Sequence, residues 1–320
     1  MTHYPVNTTS NMIPHSELGY VLDPQLSDVD ANGFRNAEIL TQADIVAIGD
    51  SHTQGFNALA QESWPHLLGQ QVNQTVYNMG VGGYGPLQYD VLVTEALKLN
   101  PKQVVIGLYL GNDLGDVARG IRQRNSQLEI DNSFRRSVTC KTATGCVLSQ
   151  IVKRSELGRP HGFMIAHPTN PTFVADSRVQ FLCADMDVTV PSIATAFGET
   201  VNLLSSASKR CSAAGAQLTV LLIPTRESVY SHSQHVDQKT LPDALKQLDQ
   251  KETSLRNRFQ AVLQQQGVSA VDLLPSLTVA MDSGKELYSA HDEGHPLSEG
   301  YRVYASVAAA TIHARQSLTN

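Results

Sequence analysis

The chain has 320 residues, of which 41% are hydrophobic and 17% are charged, and it carries a formal net charge of −6. This length suits one large α/β domain, or a core domain with a sizeable insertion. The acidic balance argues against binding to nucleic acid or to an anionic membrane surface. No apolar run approaches the roughly 18 residues that a membrane span requires.

The cellular compartment stays open on the sequence. The first twenty residues lack the charged n-region and the apolar h-region of a signal peptide. The protein is therefore cytoplasmic, or it is extracytoplasmic and a targeting segment was removed ahead of this numbering. Cys140 and Cys146 lie in a polar stretch and could form a small disulfide loop or stay free. Cys183 and Cys211 have more apolar neighbours, which predicts buried thiols.

Residues 1–43 are polar and irregular, which predicts an N-terminal extension to a domain that spans residues 44–320. From residue 45 onward, short apolar runs alternate with longer stretches of helical periodicity. This alternation favours a parallel sheet with helices on both faces. The predicted strands are 45–48, 75–79, 103–110, 217–223 and 269–273, and the predicted helices are 56–71, 87–99, 192–213, 241–266 and 298–315.

The stretch between the third and fourth predicted strands has no sustained hydrophobic period. Residues 115–191 are too many for a plain connection between two elements. We interpret them as an insertion, either a small subdomain or a lid over the active site.

Four polar or glycine-rich segments adjoin the predicted strands or the closing helix. In open α/β sheets, ligands bind at the carboxyl ends of the strands. The four segments are therefore candidates for one shared site. They read GDSHTQG over residues 49–55, NMGVGG over 78–83, GND over 111–113 and DEGHP over 292–296.

Ser51 and His295 have the residue types of a nucleophile and its base. A serine hydroxyl is a weak nucleophile until a base takes its proton. Asp292 lies three residues before His295 and could hold the imidazole in the required tautomer. A serine at the turn from strand to helix also directs the helix N-terminus at the negative charge that develops during attack.

The order and positions of the four segments resemble the signature blocks of the SGNH (GDSL-type) hydrolases, over most of residues 44–304. The resemblance implies a flavodoxin-like, three-layer α/β/α fold. It also implies a catalytic triad of Ser51, Asp292 and His295, and an activity on carboxylic esters.

The same resemblance implies an oxyanion hole for the tetrahedral intermediate. Its donors would be the backbone N–H groups of Ser51 and Gly83 and the side-chain amide of Asn112. Loss of one such donor typically costs about a hundred- to a thousandfold in rate. His52 and Tyr84 are candidates for the lining of the substrate cleft.

Two positions depart from the family pattern. His52 replaces the leucine of the GDSL block, and Gly111 directly precedes Asn112 where the family has one residue between them. A variant group of the family, tied to O-acetylation of exported polysaccharides, is more similar. It combines a Gly-Asn-Asp block with a strand end of the Ile-Pro-Thr type, here residues 223–225. This similarity favours acetyl esters of carbohydrate as the substrate.

A rival motif is the G-x-G-x-x-G pattern formed by Gly80, Gly82 and Gly85, which is typical of dinucleotide-binding domains. That fingerprint belongs after the first strand of the unit and requires an acidic residue at the end of the next strand. Neither condition is met. We therefore predict no cofactor.

Histidine pairs offer a second rival interpretation, a metal site. His232 with His235, or His291 with His295, could supply two ligands. No third ligand of suitable spacing accompanies either pair, which favours structural or solvated histidines and no metal.

Three functions remain as hypotheses. The first is a serine esterase that hydrolyses small acyl esters, in particular acetyl groups on carbohydrate. The second is an O-acyltransferase that passes the same acyl-enzyme to a sugar hydroxyl, and the third is a non-catalytic glycan-binding module. The expected partner is a small-molecule or carbohydrate ester, with no nucleic acid and no membrane span.

Overall fold

The computed structural model describes residues 11–134, 162–289 and 294–319. The strands are β1 (Met12–His15), β2 (Gly19–Leu22), β3 (Ile45–Gly49), β4 (Val76–Asn78), β5 (Gln103–Tyr109), β6 (Gly162–Ile165), β7 (Thr172–Ala175), β8 (Gln217–Ile223) and β9 (Ser269–Asp272). The helices are α1 (Ser51–Gln54), α2 (Trp64–Val72), α3 (Pro86–Leu97), α4 (Asp113–Phe134), α5 (Asp176–Asp185), α6 (Pro191–Ala213), α7 (Arg226–His232), α8 (Asp243–Gln265), α9 (Leu274–Asp282) and α10 (Ser298–Thr319).

A five-stranded sheet in the order β4-β3-β5-β8-β9 forms the centre of the molecule, and all its pairs are parallel. Numbered along the chain, the strands take the order 2-1-3-4-5 of flavodoxin-like sheets. Strands β3 and β5 lie inside the sheet and consist entirely of buried residues, as expected when both faces are covered. The predicted parallel α/β fold is confirmed.

Helices cover the sheet in two groups. Helix α2 packs against α10, whereas α3, α4 and α6 pack against one another and α8 packs against α6. The result is the expected three-layer α/β/α arrangement, with the carboxyl ends of β3, β4, β5 and β8 along one edge.

The predicted helix over 56–71 is wrong in its first half. The chain there forms a 3₁₀ turn at Ala60–Glu62, and α2 begins at Trp64. Asn57 has a φ of 66°, which lies outside the right-handed helical region. Pro65 occupies the first turn of α2, where a missing N–H removes no helical hydrogen bond.

The connection between β5 and β8 contains more regular structure than its sequence indicates. It opens with α4, continues through an antiparallel β6–β7 hairpin and α5, and leads into α6. Cys140 and Cys146 lie outside the described residues. Cys183 and Cys211 are free thiols, the first half-buried and the second buried. The lid hypothesis for this insertion stays a prediction.

The N-terminal segment also departs from the expectation of an irregular chain. Residues 12–22 form the antiparallel β1–β2 hairpin, in which Gly19 adopts a φ of 86° at the turn. Val21, Leu22 and Phe34 are buried against the hydrophobic core. The domain boundary at residue 44 stays a prediction.

Within the described ranges, no helix has the length and apolar character that crossing a bilayer would require.

Candidate active site

The turn from β3 into α1 presents Ser51 at the carboxyl edge of the sheet. Asp50 caps α1, because its carboxylate accepts a hydrogen bond from the backbone N–H of His52 at 2.9 Å. Ser51 is the first residue of the helix. A side chain at Gly49 would overlap the Thr53 hydroxyl, so only glycine lets α1 fold back this closely on β3.

The structure brings Ser51 and His295 together although they are 244 residues apart. Ser51 Oγ and His295 Nε2 are separated by 2.8 Å, which is hydrogen-bond distance. When Nε2 carries no proton, it accepts from the serine hydroxyl, as a general base must. Asp292, the third member of the predicted triad, lies outside the described residues.

Two rings pack against the His295 imidazole at tilted angles. Its centroid is 4.7 Å from that of Phe56 and 5.1 Å from that of His52, and the His52 ring stacks on Tyr109 at 4.0 Å. His52 is only 2% exposed. The buried His52 ring therefore packs against the His295 imidazole inside the protein. The role of His52 in lining a substrate cleft stays a prediction.

Tyr84, the other residue proposed for the cleft, is fully buried. Its hydroxyl donates to the backbone carbonyl of Tyr20, and the two rings pack at 5.3 Å between centroids. In this conformation the side chain holds the N-terminal hairpin against the glycine-rich loop.

The glycine-rich loop after β4 lies beside the nucleophile turn. The Gly82 N–H donates to Gln54 Oε1 at 2.7 Å, and the Gly82 carbonyl accepts from the Tyr20 hydroxyl at 3.0 Å. Gly83 has a φ of 81°, and a methyl group there would lie 2.6 Å from the Tyr20 hydroxyl. A side chain at Gly80 would meet the backbone of α1 at 2.5 Å. Close packing thus accounts for the glycines at positions 80 and 83.

Asn112 follows β5 at the same edge of the sheet. Its backbone carbonyl accepts from the N–H of Asp116 at 2.8 Å, within the first turn of α4. Its side-chain Oδ1 is buried and has no hydrogen-bond partner among the residues that the structure describes. This oxygen is an acceptor, so the donor role predicted for the Asn112 amide depends on its NH₂ group and stays a prediction.

Three carboxyl groups lie behind the nucleophile turn. Burial, reinforced by repulsion from Asp116, raises the pKa of Asp50 from 3.8 to about 7. Burial and the neighbouring Asp50 and Asp116 raise the pKa of Asp113 well above 3.8. Asp113 accepts from the backbone N–H of Tyr109 at 2.9 Å and from the Tyr89 hydroxyl at 3.1 Å. Asp50, through the His52 N–H, and Asp113, through the Tyr109 N–H, therefore anchor backbone.

The N-terminal segment supports the nucleophile side of the site. The buried Arg35 guanidinium donates to the carbonyls of Gln54, Gly55 and Ala58 at 3.3, 2.7 and 2.9 Å. The Asn36 amide pairs with both the N–H and the carbonyl of Asn78, at 2.9 and 3.0 Å. Sequence reasoning missed both residues, because nothing in an aperiodic segment indicates where it packs.

The insertion supports the histidine side in the same manner. The buried Asn170 amide donates to the Lys285 carbonyl and accepts from the Leu287 N–H, both at 2.9 Å. Arg178 forms two bonds to the fully buried Glu227, at 2.6 and 3.2 Å, and its guanidinium packs on Gly294. No motif in the sequence pointed to these residues.

His232 and His235, one of the two histidine pairs weighed as metal ligands, lie close to backbone carbonyls. His232 Nδ1 lies 3.0 Å from the Ser228 carbonyl, and His235 Nε2 lies 3.1 Å from the Asp282 carbonyl. His291 is not among the described residues. In the part of the chain that the structure covers, no three His, Cys, Asp or Glu side chains are placed to hold a metal ion.

The structure thus combines a parallel α/β/α fold with a serine and a histidine in contact at the carboxyl edge of its sheet. The chain matches the GDSL-like lipase/acylhydrolase family over residues 47–303. It belongs to this family, and it is a hydrolase of ester bonds.

Solved structures similar to this chain include an extracellular lipase from Streptomyces rimosus, at 16% identity and a TM-score of 0.49, covering 83% of this chain and 98% of that one. A phospholipase A1 from Streptomyces albidoflavus matches at 15% identity and a TM-score of 0.48, covering 84% and 99%. An acetylxylan esterase from Geobacillus stearothermophilus matches at 12% identity and a TM-score of 0.42, covering 84% and 93%. No curated protein sequence matches significantly.

Proposed function

We propose that the protein is a serine esterase that hydrolyses small acyl esters, in particular acetyl groups on carbohydrate, through an acyl-enzyme on Ser51. The observation that carries this proposal is the 2.8 Å contact between Ser51 Oγ and His295 Nε2. His295 takes the hydroxyl proton as Ser51 attacks the ester carbonyl, and it returns that proton to the leaving alcohol. Water activated by His295 then releases the acid.

Asp292 is proposed to orient the imidazole, by its spacing three residues before His295. The oxyanion is assigned to the backbone N–H groups of Ser51 and Gly83 and to the Asn112 amide. The helix N-terminus at Ser51 supports this assignment, and Asn112 follows β5 on the same edge of the sheet. The choice of acetylated carbohydrate rests on the Gly-Asn-Asp block and the strand end at residues 223–225, by similarity to the polysaccharide O-acetylation group.

The direct test is hydrolysis of nitrophenyl esters of graded chain length. We expect the acetyl ester to be the preferred substrate and the Ser51→Ala variant to lose at least about a thousandfold in kcat. A fluorophosphonate should label Ser51 in the unmodified protein and leave Ser51→Ala unlabelled. The matched control is Ser306→Ala, which changes an exposed serine of α10 and should keep full activity.

Activity that persists in Ser51→Ala would contradict the mechanism, and absence of both labelling and hydrolysis would favour a glycan-binding module. A further arm adds an acetylated donor together with a polysaccharide acceptor. Transfer of the acyl group to the acceptor, in place of its release as the free acid, would assign the chain as an O-acyltransferase that uses the same nucleophile.

A further inference from the structure

An arginine–glutamate–arginine cluster lies next to the loop that carries His295. Arg178, in the first turn of α5, donates from Nε to Glu227 Oε1 at 2.6 Å and from Nη2 to Oε2 at 3.2 Å. Arg226 donates to the same carboxylate at 3.2 Å. Glu227 has no exposed surface, and the two guanidinium groups hold its pKa below the ordinary value of 4.5 despite burial. The cluster is therefore a fixed, ionised unit.

The cluster touches the chain just before His295 at two points. Arg226 donates to the carbonyl of Ser289 at 3.4 Å. A methyl group on Gly294 would overlap Arg178 Nη2 and would lie 3.1 Å from its Cζ. The guanidinium plane thus packs directly on the backbone of the residue before His295, and the φ of 105° at Gly294 requires glycine there.

Arg178 is also connected to the His295 imidazole through two intervening aromatic rings. Its Nη2 donates to the Tyr109 hydroxyl at 3.4 Å. The Tyr109 ring stacks on His52 at 4.0 Å, and the His52 ring packs 5.1 Å from the ring of His295. The Arg178 guanidinium therefore contacts both the backbone before His295 and, through Tyr109, the His52 ring that packs against the His295 imidazole.

We infer that Arg178 is a positioning residue for the reaction, which sets the distance and angle between His295 and Ser51. This inference rests on the proposed function, because it needs His295 as the base. The physical reason is the bidentate clamp by Glu227, which leaves the guanidinium little freedom to rotate. Proton transfer depends steeply on geometry, and a misplacement of about 1 Å can cost on the order of a hundredfold in rate.

The test compares Arg178→Lys and Arg178→Met with the unmodified protein on the nitrophenyl ester that it hydrolyses best. Active sites are first counted by complete fluorophosphonate labelling of a separate sample, so that kcat of the unlabelled enzyme can be expressed per site able to react with the label. We expect full labelling at a slower rate and KM within about threefold. We expect kcat per labelled site to fall about a hundredfold in Arg178→Met and about tenfold in Arg178→Lys, since lysine keeps the charge but not the planar fork.

The matched control is Arg210→Lys. Arg210 also bonds to an aspartate, Asp90, and to Thr94, but it joins α3 to α6 away from the site. The Arg210→Lys substitution should leave kcat per labelled site unchanged. Arg178→Lys keeps a cation beside buried Glu227, so it provides a folded variant even where Arg178→Met fails to fold.

Three results would overturn the inference. A reduced labelled fraction with unchanged kcat per labelled site would show that Arg178 only stabilises the fold. A higher KM with unchanged kcat would assign it to substrate binding, and unchanged kinetics would assign it no role. Failure of the proposed function looks different, because the unmodified protein would then neither label at Ser51 nor hydrolyse the ester.

Discussion

The two halves of the candidate site are supported by two different segments outside the central sheet. The nucleophile side rests on the N-terminal segment, where the Asn36 amide pairs with the N–H and carbonyl of Asn78. The histidine side rests on the insertion, where the Asn170 amide pairs with the Leu287 N–H and the Lys285 carbonyl. In both cases a side-chain amide pairs with an N–H and a carbonyl of the backbone. The sheet alone therefore does not determine the geometry of the site.

The two sides differ in their electrostatics. Behind Ser51, burial and mutual repulsion raise the pKa of Asp50 and Asp113, so that protonated carboxyl groups are favoured. Beside His295, Arg178 and Arg226 keep Glu227 ionised and lower its pKa. Burial raises the pKa of the carboxyl group on both sides, and at Glu227 the two buried guanidinium groups outweigh that effect.

The largest expected effect comes from removing Arg35, the main support on the nucleophile side. In Arg35→Met, the carbonyls of Gln54, Gly55 and Ala58 lose a charged donor inside the protein. We expect the free energy of unfolding to fall by about 3–5 kcal/mol, because buried carbonyls lose their partner and Asp28 loses its cation. Denaturant unfolding measures this loss of stability, and kcat per labelled site measures the effect on activity.

Arg302→Met is the control for Arg35→Met. Arg302 pairs with Glu299 on the surface of α10, and such pairs contribute little to stability, about 0–1 kcal/mol. If Arg35→Met were as stable and as active as Arg302→Met, the N-terminal segment would not support the site, and the comparison between the two sides would fail.

A second, smaller effect is expected from Asn170→Ala and Asn36→Ala, compared as a pair. Each variant loses a donor and an acceptor to backbone, at about 1–3 kcal/mol when the orphaned groups are buried. Asn170 is only 2% exposed, whereas Asn36 is partly exposed, so we expect Asn170→Ala to be the less stable. Thermal unfolding of the two variants measures this order, and the reverse order would show that the N-terminal support matters more.

The elements of the sheet could be predicted from sequence because their signal is local. Most central strands are short, largely apolar runs, and β8 was predicted with its observed bounds, Gln217–Ile223. The pairing of Ser51 with His295 followed from the resemblance of the four segments to a known family. Their contact at 2.8 Å agrees with that prediction, and their catalytic roles stay a proposal.

The supports of the site could not be predicted, because their signal is tertiary. Arg35, Asn170 and Arg178 lie in stretches without hydrophobic periodicity, and a buried arginine is recognisable only by the partner that the fold provides. The G-x-G-x-x-G pattern shows the opposite problem. Its local signal indicated a nucleotide site, whereas Gly80 is required by the close approach of the α1 backbone.

A third effect, of about the same size as the second, concerns pH and tests the electrostatic contrast through Asp50→Asn. Asparagine keeps the acceptor for the His52 N–H and remains neutral at every pH. The pKa of Asp50 is raised from 3.8 to about 7, so its contribution to stability is fully present below pH 3.8 and is lost as the pH rises through 7. The free energy of unfolding of Asp50→Asn relative to the unmodified protein should therefore increase between pH 4 and 8.

The size of that increase is limited because Asp50 and Asp113 titrate together. When Asp50 is replaced, Asp113 can bind a proton in its place. We expect a change of about 1–3 kcal/mol, measured by denaturant unfolding at a series of pH values. Asp44→Asn is the control, since bonds from Lys102 and Thr75 lower the pKa of Asp44 to about 2. Its contribution is present above pH 3.8 and is lost only as the pH falls toward 2. Parallel profiles of Asp50→Asn and the unmodified protein from pH 4 to 8 would mean that Asp50 is ionised at no cost, and the contrast with Glu227 would disappear.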